Sequence, residues 1–201
     1  MSHASLLTRR LEHHDPAGVA HAARVTNLAL ELAEALGASR RIVAMLSIAG
    51  PLHDIGKLEV DRAILAKPDR LEPEEIEEIR KHPVAGVRML QGIRSLHGAL
   101  GTVLHHHERW DGGGYPYGLG GLDIPEEARI LTVADAYDAM TSNRPYSAAL
   151  THVDAVAEVE RCSGTQFDPV IAEAFLGLDE PAATESTRLR ASFASAGSPR
   201  R

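Results

Sequence analysis

An all-α fold of about seven or eight helices with one long glycine-rich loop is predicted by three observations on this 201-residue chain. Apolar residues make up 44% of the chain and aromatics only 4%, with Leu and Ala prominent, a balance that suits helices better than a sandwich built on aromatic and β-branched side chains. Apolar positions recur at helical spacing in one segment after another, and strand alternation is nearly absent. The length fits one globular unit with a substantial core. We divide it into an N-terminal segment 1–15, a domain 16–178 and a tail 179–201. The tail is rich in Ala, Ser, Thr, Pro and Arg without an apolar period, and is expected to be disordered.

Asp15-Pro16 supplies an N-cap followed by a first-turn proline, and Gly37 follows the last periodic residue, so residues 16–36 read as a helix with the stripe His21, Val25, Leu28, Leu32 and Leu36. Ser39 opens a second helix that buries Ile42, Met45, Leu46, Ala49, Leu52 and His53, and Pro51 is expected to kink or end it. The His53-Asp54 pair therefore emerges at a helix terminus. Leu71 to Glu75 start another helix, with carboxylates in its first turn and an interruption at Pro83, directly after His82. Residues 95–108 read as one helix with Leu96, Leu100, Val103, Leu104 and His107 on one side, His106 on the flank and His105 mostly opposite.

Asp111 to Gly121 holds six glycines and Pro116, a composition that demands unusual backbone angles. Pro125 then begins a helix on which Ile124, Ala128, Leu131, Asp135 and Asp138 share a face, so two carboxylates lie on an otherwise apolar surface. Thr151 with Asp154 starts a helix over 152–162 that Gly164 stops, and Asp168-Pro169 starts the last short one.

The net charge of −7 and the lack of a long basic run exclude a duplex nucleic acid as partner, because phosphate neutralisation needs clustered Lys and Arg. Cys162 is the only cysteine, so no intrachain disulfide forms. No window approaches the 18 or more apolar residues of a membrane span, and the N-terminus has no basic and apolar leader pattern. A cytoplasmic protein without a membrane partner is expected.

The chemistry lies in His21, His53, Asp54, His82, His106, His107 and Asp135. Imidazole and carboxylate bind Fe, Mn or Zn at neutral pH, and more than four such ligands can hold two ions. His21, His53, His107 and Asp135 fall on the core-facing stripes of four separate helices, where polar groups need partners, and a shared metal centre supplies them. Asp54 has an alternative as a cap of the following segment, and Asp138 as a hydrogen-bond acceptor for a neighbouring helix. His3, His13, His14, His97, His105 and His152 are assigned to solvent.

The segments His21-Ala-Ala-Arg24-Val25, Leu52-His53-Asp54-Ile55-Gly56-Lys57, Lys81-His82-Pro83, His106-His107-Glu108-Arg109, Asp111-Gly-Gly-Gly114-Tyr115-Pro116, and Ala134-Asp135 through Asp138 to Arg144-Pro145-Tyr146, in this order, resemble the HD-GYP family. The likeness runs from about residue 16 to Phe167-Asp168-Pro169. It implies an HD-superfamily helical bundle whose catalytic domain spans 16–178, and metal-dependent hydrolysis of cyclic di-GMP to linear pGpG, with GMP as an alternative end product. It further implies that His21, His53, Asp54 and Asp135 hold one ion, that His82, His106 and His107 hold a second, and that Asp54 bridges them. Some members hold a third ion through a glutamate four residues before the first histidine, but here that residue is Ala17, so two divalent ions are expected, Fe or Mn, with Zn admitted by the same donors. A basic residue found in phosphate-binding members three positions after Arg144 is Ser147 here, which keeps another cyclic dinucleotide, or a metal-containing module that turns nothing over, as alternatives.

In this reading a hydroxide bridging the ions attacks the phosphodiester, and Lys57 stabilises the developing anion or assists the leaving oxygen. Arg144 holds a substrate phosphate through its planar fork of donors, and Arg109 is a weaker candidate for that task. Tyr115 stands at the mouth to stack on guanine. The resemblance links the loop to contacts with GGDEF-type synthases. The roughly 20 residues before His21 are too few for the upstream sensory domain that many relatives carry.

Overall fold

Two long helices, α2 (Pro16–Ala35) and α8 (Glu126–Thr141), pack along each other and organise the rest of the fold. The computed structural model describes residues 3–143 and 148–178. Asp15 caps α2 by accepting the Gly18 amide, and Pro16 occupies its first turn. At its end Gly37 takes φ of 63°, a left-handed conformation that glycine adopts without steric penalty.

Val25, Leu28 and Leu32 of α2 meet Ile130, Leu131, Ala134 and Tyr137 of α8 in one apolar core. Ile42 and Leu46 of α3 (Arg40–Ala49) join it, as do Val159 of α9 (His152–Arg161) and Ile171 and Phe175 of α10 (Pro169–Leu176). Ser39, Thr151 and Asp168 cap these last three helices as the sequence predicts.

A second core gathers Leu52, Ile55, Leu90, Leu96 and Val103. Its backbone is tighter, because Pro51 ends α3 and the chain continues as 3-10 turns at Gly50–Leu52 and Ile55–Glu59. The short α4 (Arg62–Leu65), α5 (Pro73–Ile79) and α6 (His82–Leu90) follow. The N-terminal segment, which carries no helix signal in the reading above, contains α1 (His3–His14), and its Leu7 and Leu11 are buried in this second core.

Ten α-helical segments result among the described residues, a finer division than seven or eight. Pro83 does not interrupt a helix: it occupies the first turn of α6, where its missing N–H is not needed. The stretch 95–108 is likewise not one helix. Arg94–Ala99 is a 3-10 turn and α7 covers only Leu100–His105. Gly98 allows the close approach, since a Cβ there would stand 2.6 Å from Met45 Cε. The tail 179–201 lies outside the described residues.

Candidate metal centre

His53 and Asp54 sit between the two 3-10 turns, and the tight backbone there turns both side chains into one buried cluster. Asp54 Oδ1 lies 3.3 Å from His82 Nε2 and 4.0 Å from His106 Nε2. Its other oxygen, Oδ2, lies 3.4 Å from His53 Nε2 and 3.8 Å from His21 Nε2. Each carboxylate oxygen thus faces its own pair of imidazoles. Two ligand groups follow, Asp54 with His82, His106 and His107, and Asp54 with His21 and His53. Asp135 joins the second side, its Oδ1 being 3.1 Å from His21 Nε2.

Backbone carbonyls set the orientation of three of these rings. His53, His82 and His106 each place Nδ1 at 2.7–2.8 Å from the carbonyl of the residue three positions earlier, Gly50, Ile79 and Val103. A carbonyl only accepts, so each Nδ1 carries the proton and each Nε2 presents a lone pair. His82 Nε2 and His106 Nε2 point at one another 3.2 Å apart. His53 Nε2 and Asp54 Oδ1 are buried without a hydrogen-bond partner. Buried polar atoms are rarely left in that state, and cation binding would satisfy them, so the residues present fit divalent metal.

Electrostatics agree with this reading. Burial, reinforced by neighbouring histidines, pushes His82 down to about 3, His107 to about 4 and His106 well below the usual imidazole value. These rings are neutral, the form that binds metal. Burial opposes ionisation of Asp54 and Asp135, yet Lys57 and the histidines around Asp54, and the His21 hydrogen bond to Asp135, hold both well below the ordinary carboxylate range. His21 runs the other way: burial lowers it, but Asp135 and Asp138 outweigh that and raise it to about 9.

The predicted substrate contacts are placed differently. Lys57 Nζ donates to Asp54 Oδ2 at 2.5 Å and lines a cavity of about 470 Å³ over the cluster. Arg109 lines it too, but its guanidinium is held by both oxygens of Asp111 and by Gln166, so a substrate role requires it to leave Asp111. Tyr115 lines the cavity as well, its ring stacked on His107 at 4.8 Å and 23°. Arg144 and Ser147 lie outside the described residues. Three histidines assigned to solvent are instead partly buried: His14 bonds to the Val60 carbonyl, His152 to the Tyr137 hydroxyl, and His105 packs under Tyr117. His14 and His152 thus find polar partners within the fold, whereas His105 Nδ1 is buried without a hydrogen-bond partner.

Two carboxylates do more than their sequence context shows. Asp138 accepts from His21 Nδ1 and from two nitrogens of Arg24, so it orients a member of the cluster from outside it. Glu108, almost fully buried, accepts the amides of Tyr117 and Leu119 and so ties the glycine-rich loop down beside the His/Asp cluster. Gly114 permits that approach: a Cβ there would stand 2.4 Å from the Arg109 amide nitrogen. Its position one residue after the paired histidines was the only sequence signal for Glu108.

The helical fold and the shared-aspartate cluster define a class, and the chain belongs to the HD domain family, whose model matches residues 5–171. Within it, the Gly114-Tyr115-Pro116 loop and its relatives place it in the HD-GYP branch. It is 41% identical over 177 residues to a cyclic di-GMP phosphodiesterase of Thermotoga maritima, covering 87% of this chain and 48% of that protein. It is 40% identical over 174 residues to the cyclic di-GMP phosphodiesterase response regulator RpfG of Xanthomonas campestris pv. campestris, covering 86% and 46%. The chain therefore spans about half the length of these curated relatives. A solved HDG"Y"P protein from Bdellovibrio bacteriovorus shares the fold with a TM-score of 0.64 at 21% identity, covering 78% of this chain and 50% of that one. Among the described residues no helix is long and apolar enough to cross a membrane.

Proposed function

We propose that this chain is a metal-dependent phosphodiesterase that hydrolyses cyclic di-GMP to linear pGpG, with GMP as the alternative end product. The observation that carries the reading is Asp54, one carboxylate whose two oxygens face two separate sets of imidazoles. His21, His53, Asp54 and Asp135 would hold one divalent ion, and His82, His106, His107 and Asp54 a second, with Fe or Mn favoured and Zn admitted. When bound, such a pair supplies Lewis acidity at a phosphodiester and activates water near neutral pH.

The chain's own residues do the rest. Lys57, already within hydrogen-bond reach of Asp54, donates to the anion that develops or to the leaving oxygen. Tyr115 and Arg109, which line the cavity, offer a ring to a guanine and a guanidinium to a phosphate, and Arg144 is the further phosphate contact that the sequence suggests. Ala17, exposed at the start of α2, offers no ligand for a third ion. The same reading takes 16–178 as the catalytic domain, puts the protein in the cytoplasm and lets the loop meet GGDEF-domain partners.

A second substrate is favoured by one observation: the chain is 36% identical over 159 residues to a 3'3'-cGAMP-specific phosphodiesterase of Vibrio cholerae, covering 78% of this chain and 30% of that protein. The test loads purified protein anaerobically with Fe(II) or Mn(II) and assays both dinucleotides, with His53→Ala and Asp54→Ala as controls. Cleavage of cyclic di-GMP that both substitutions abolish is expected. Failure of the loaded protein to cleave either compound refutes the phosphodiesterase reading.

A further inference from the structure

Three described cations line the cavity over the metal cluster: Lys57, Arg80 and Arg109. Lys57 donates to Asp54, and Arg109 is gripped by two oxygens of Asp111. Arg80 is placed otherwise. Its guanidinium meets one carboxylate oxygen, Glu77 Oε1 at 2.7 Å, and both partners are half or more exposed, at 50% and 64%. Such surface pairs contribute little and exchange readily.

Position makes Arg80 notable. It ends α5, two residues before the ligand His82, and its Cζ lies 5.4 Å from the centre of the Tyr115 ring. That ring in turn stacks on His107. Arg80 and Tyr115 also line a second cavity of about 480 Å³, walled by apolar Val60, Val84 and Pro116 and by charged groups that include Glu59, Glu77 and Arg88. The guanidinium therefore stands on the border between the metal cavity and a neighbouring one of similar size, on an aromatic platform that limits its rotamers.

We propose that Arg80 binds the second, unreacting phosphate of a cyclic dinucleotide while the first lies at the metal cluster, directing one nucleoside into the neighbouring cavity. The assignment rests on the phosphodiesterase reading above. A cyclic dinucleotide carries two phosphates in one ring, so with one at the metals the other must lie close by, and a guanidinium released from a solvent-exposed glutamate can meet it with paired donors.

The test compares wild type, Arg80→Ala and Arg80→Lys, all loaded with Mn(II), on cyclic di-GMP and on bis(p-nitrophenyl) phosphate, which has a single phosphate. For Arg80→Ala, KM for the dinucleotide should rise roughly tenfold to a hundredfold, the span of a lost charge-assisted hydrogen bond, with kcat changed less. Cleavage of the one-phosphate ester should be unaltered, and Arg80→Lys should recover part of the loss. Titration calorimetry with a phosphorothioate analogue of the dinucleotide should show the same weakening without turnover. An equal loss on both substrates, or no loss on the dinucleotide, overturns the role of Arg80 alone. Wild type that cleaves the ester but no dinucleotide overturns the substrate reading, and this assignment with it.

Discussion

His21 Nδ1 lies 2.7 Å from Asp138 Oδ2, across 117 residues of chain, and this contact aims His21 Nε2 at Asp135 and Asp54. Arg24 holds the same carboxylate from the other side at 2.5 and 2.8 Å. Partners of this kind fix the tautomer and the direction of a metal-binding imidazole. Asp138→Asn should weaken Mn(II) affinity about 10- to 100-fold while the helical circular dichroism is retained, and competition against a calibrated chelator measures it. Unchanged affinity would remove Asp138 from the site's support.

The metal-free protein should be most stable near pH 6.5. The unfolded imidazole protonates near 6.5, whereas folded His82 and His107 wait until about 3 and 4, so the unfolded state binds more protons below 6.5 and stability falls as the pH drops from there. His21 has the opposite sign. Its folded value of about 9 makes its contribution complete below 6.5 and lost as the pH rises through 9. Thermal melts in chelator from pH 4.5 to 9.5 check both limbs, and a flat acid limb would contradict the buried neutral histidines.

Gly56 has no room for a side chain. A Cβ there would stand 1.9 Å from the His82 carbonyl oxygen and 2.6 Å from the Gly86 nitrogen, both backbone atoms. Gly56→Ala must push the 3-10 turn carrying Lys57 away from α6, at about 1–3 kcal/mol or more. Chemical denaturation gives the size, and a loss below ~0.5 kcal/mol would show that the contact relaxes freely.

Glu108→Ala should release the glycine-rich loop. It leaves the Tyr117 and Leu119 amides without their acceptor, at roughly 1–3 kcal/mol for each amide that stays buried. Hydrogen exchange at residues 112–120 should quicken while α2 and α8 stay protected. Exchange rates equal to wild type would mean that the loop is held by its other contacts.

Helix positions, and the residues that gather in the buried His/Asp cluster, were legible along the chain because they depend on local chemistry. Asp15, Ser39, Thr151 and Asp168 cap where their short polar side chains allow, and the stripes through His21 and Asp135 follow the 3.6-residue period. Breaks within short segments were less legible. The 3-10 turn before Leu100 depends on Gly98 meeting Met45 from another helix, and the fate of Pro83 on where the preceding turn closes.

The division of Asp54 between two imidazole sets, the bracing of His21 by Asp138 and Arg24, and the hold of Glu108 on the loop exist only once distant segments are packed. A hydrogen bond spanning more than a hundred residues leaves no periodic trace in the chain, because its geometry is set by how α2 and α8 fit against each other. The composition of the site is thus local information, whereas its direction, protonation and support are properties of the packed core.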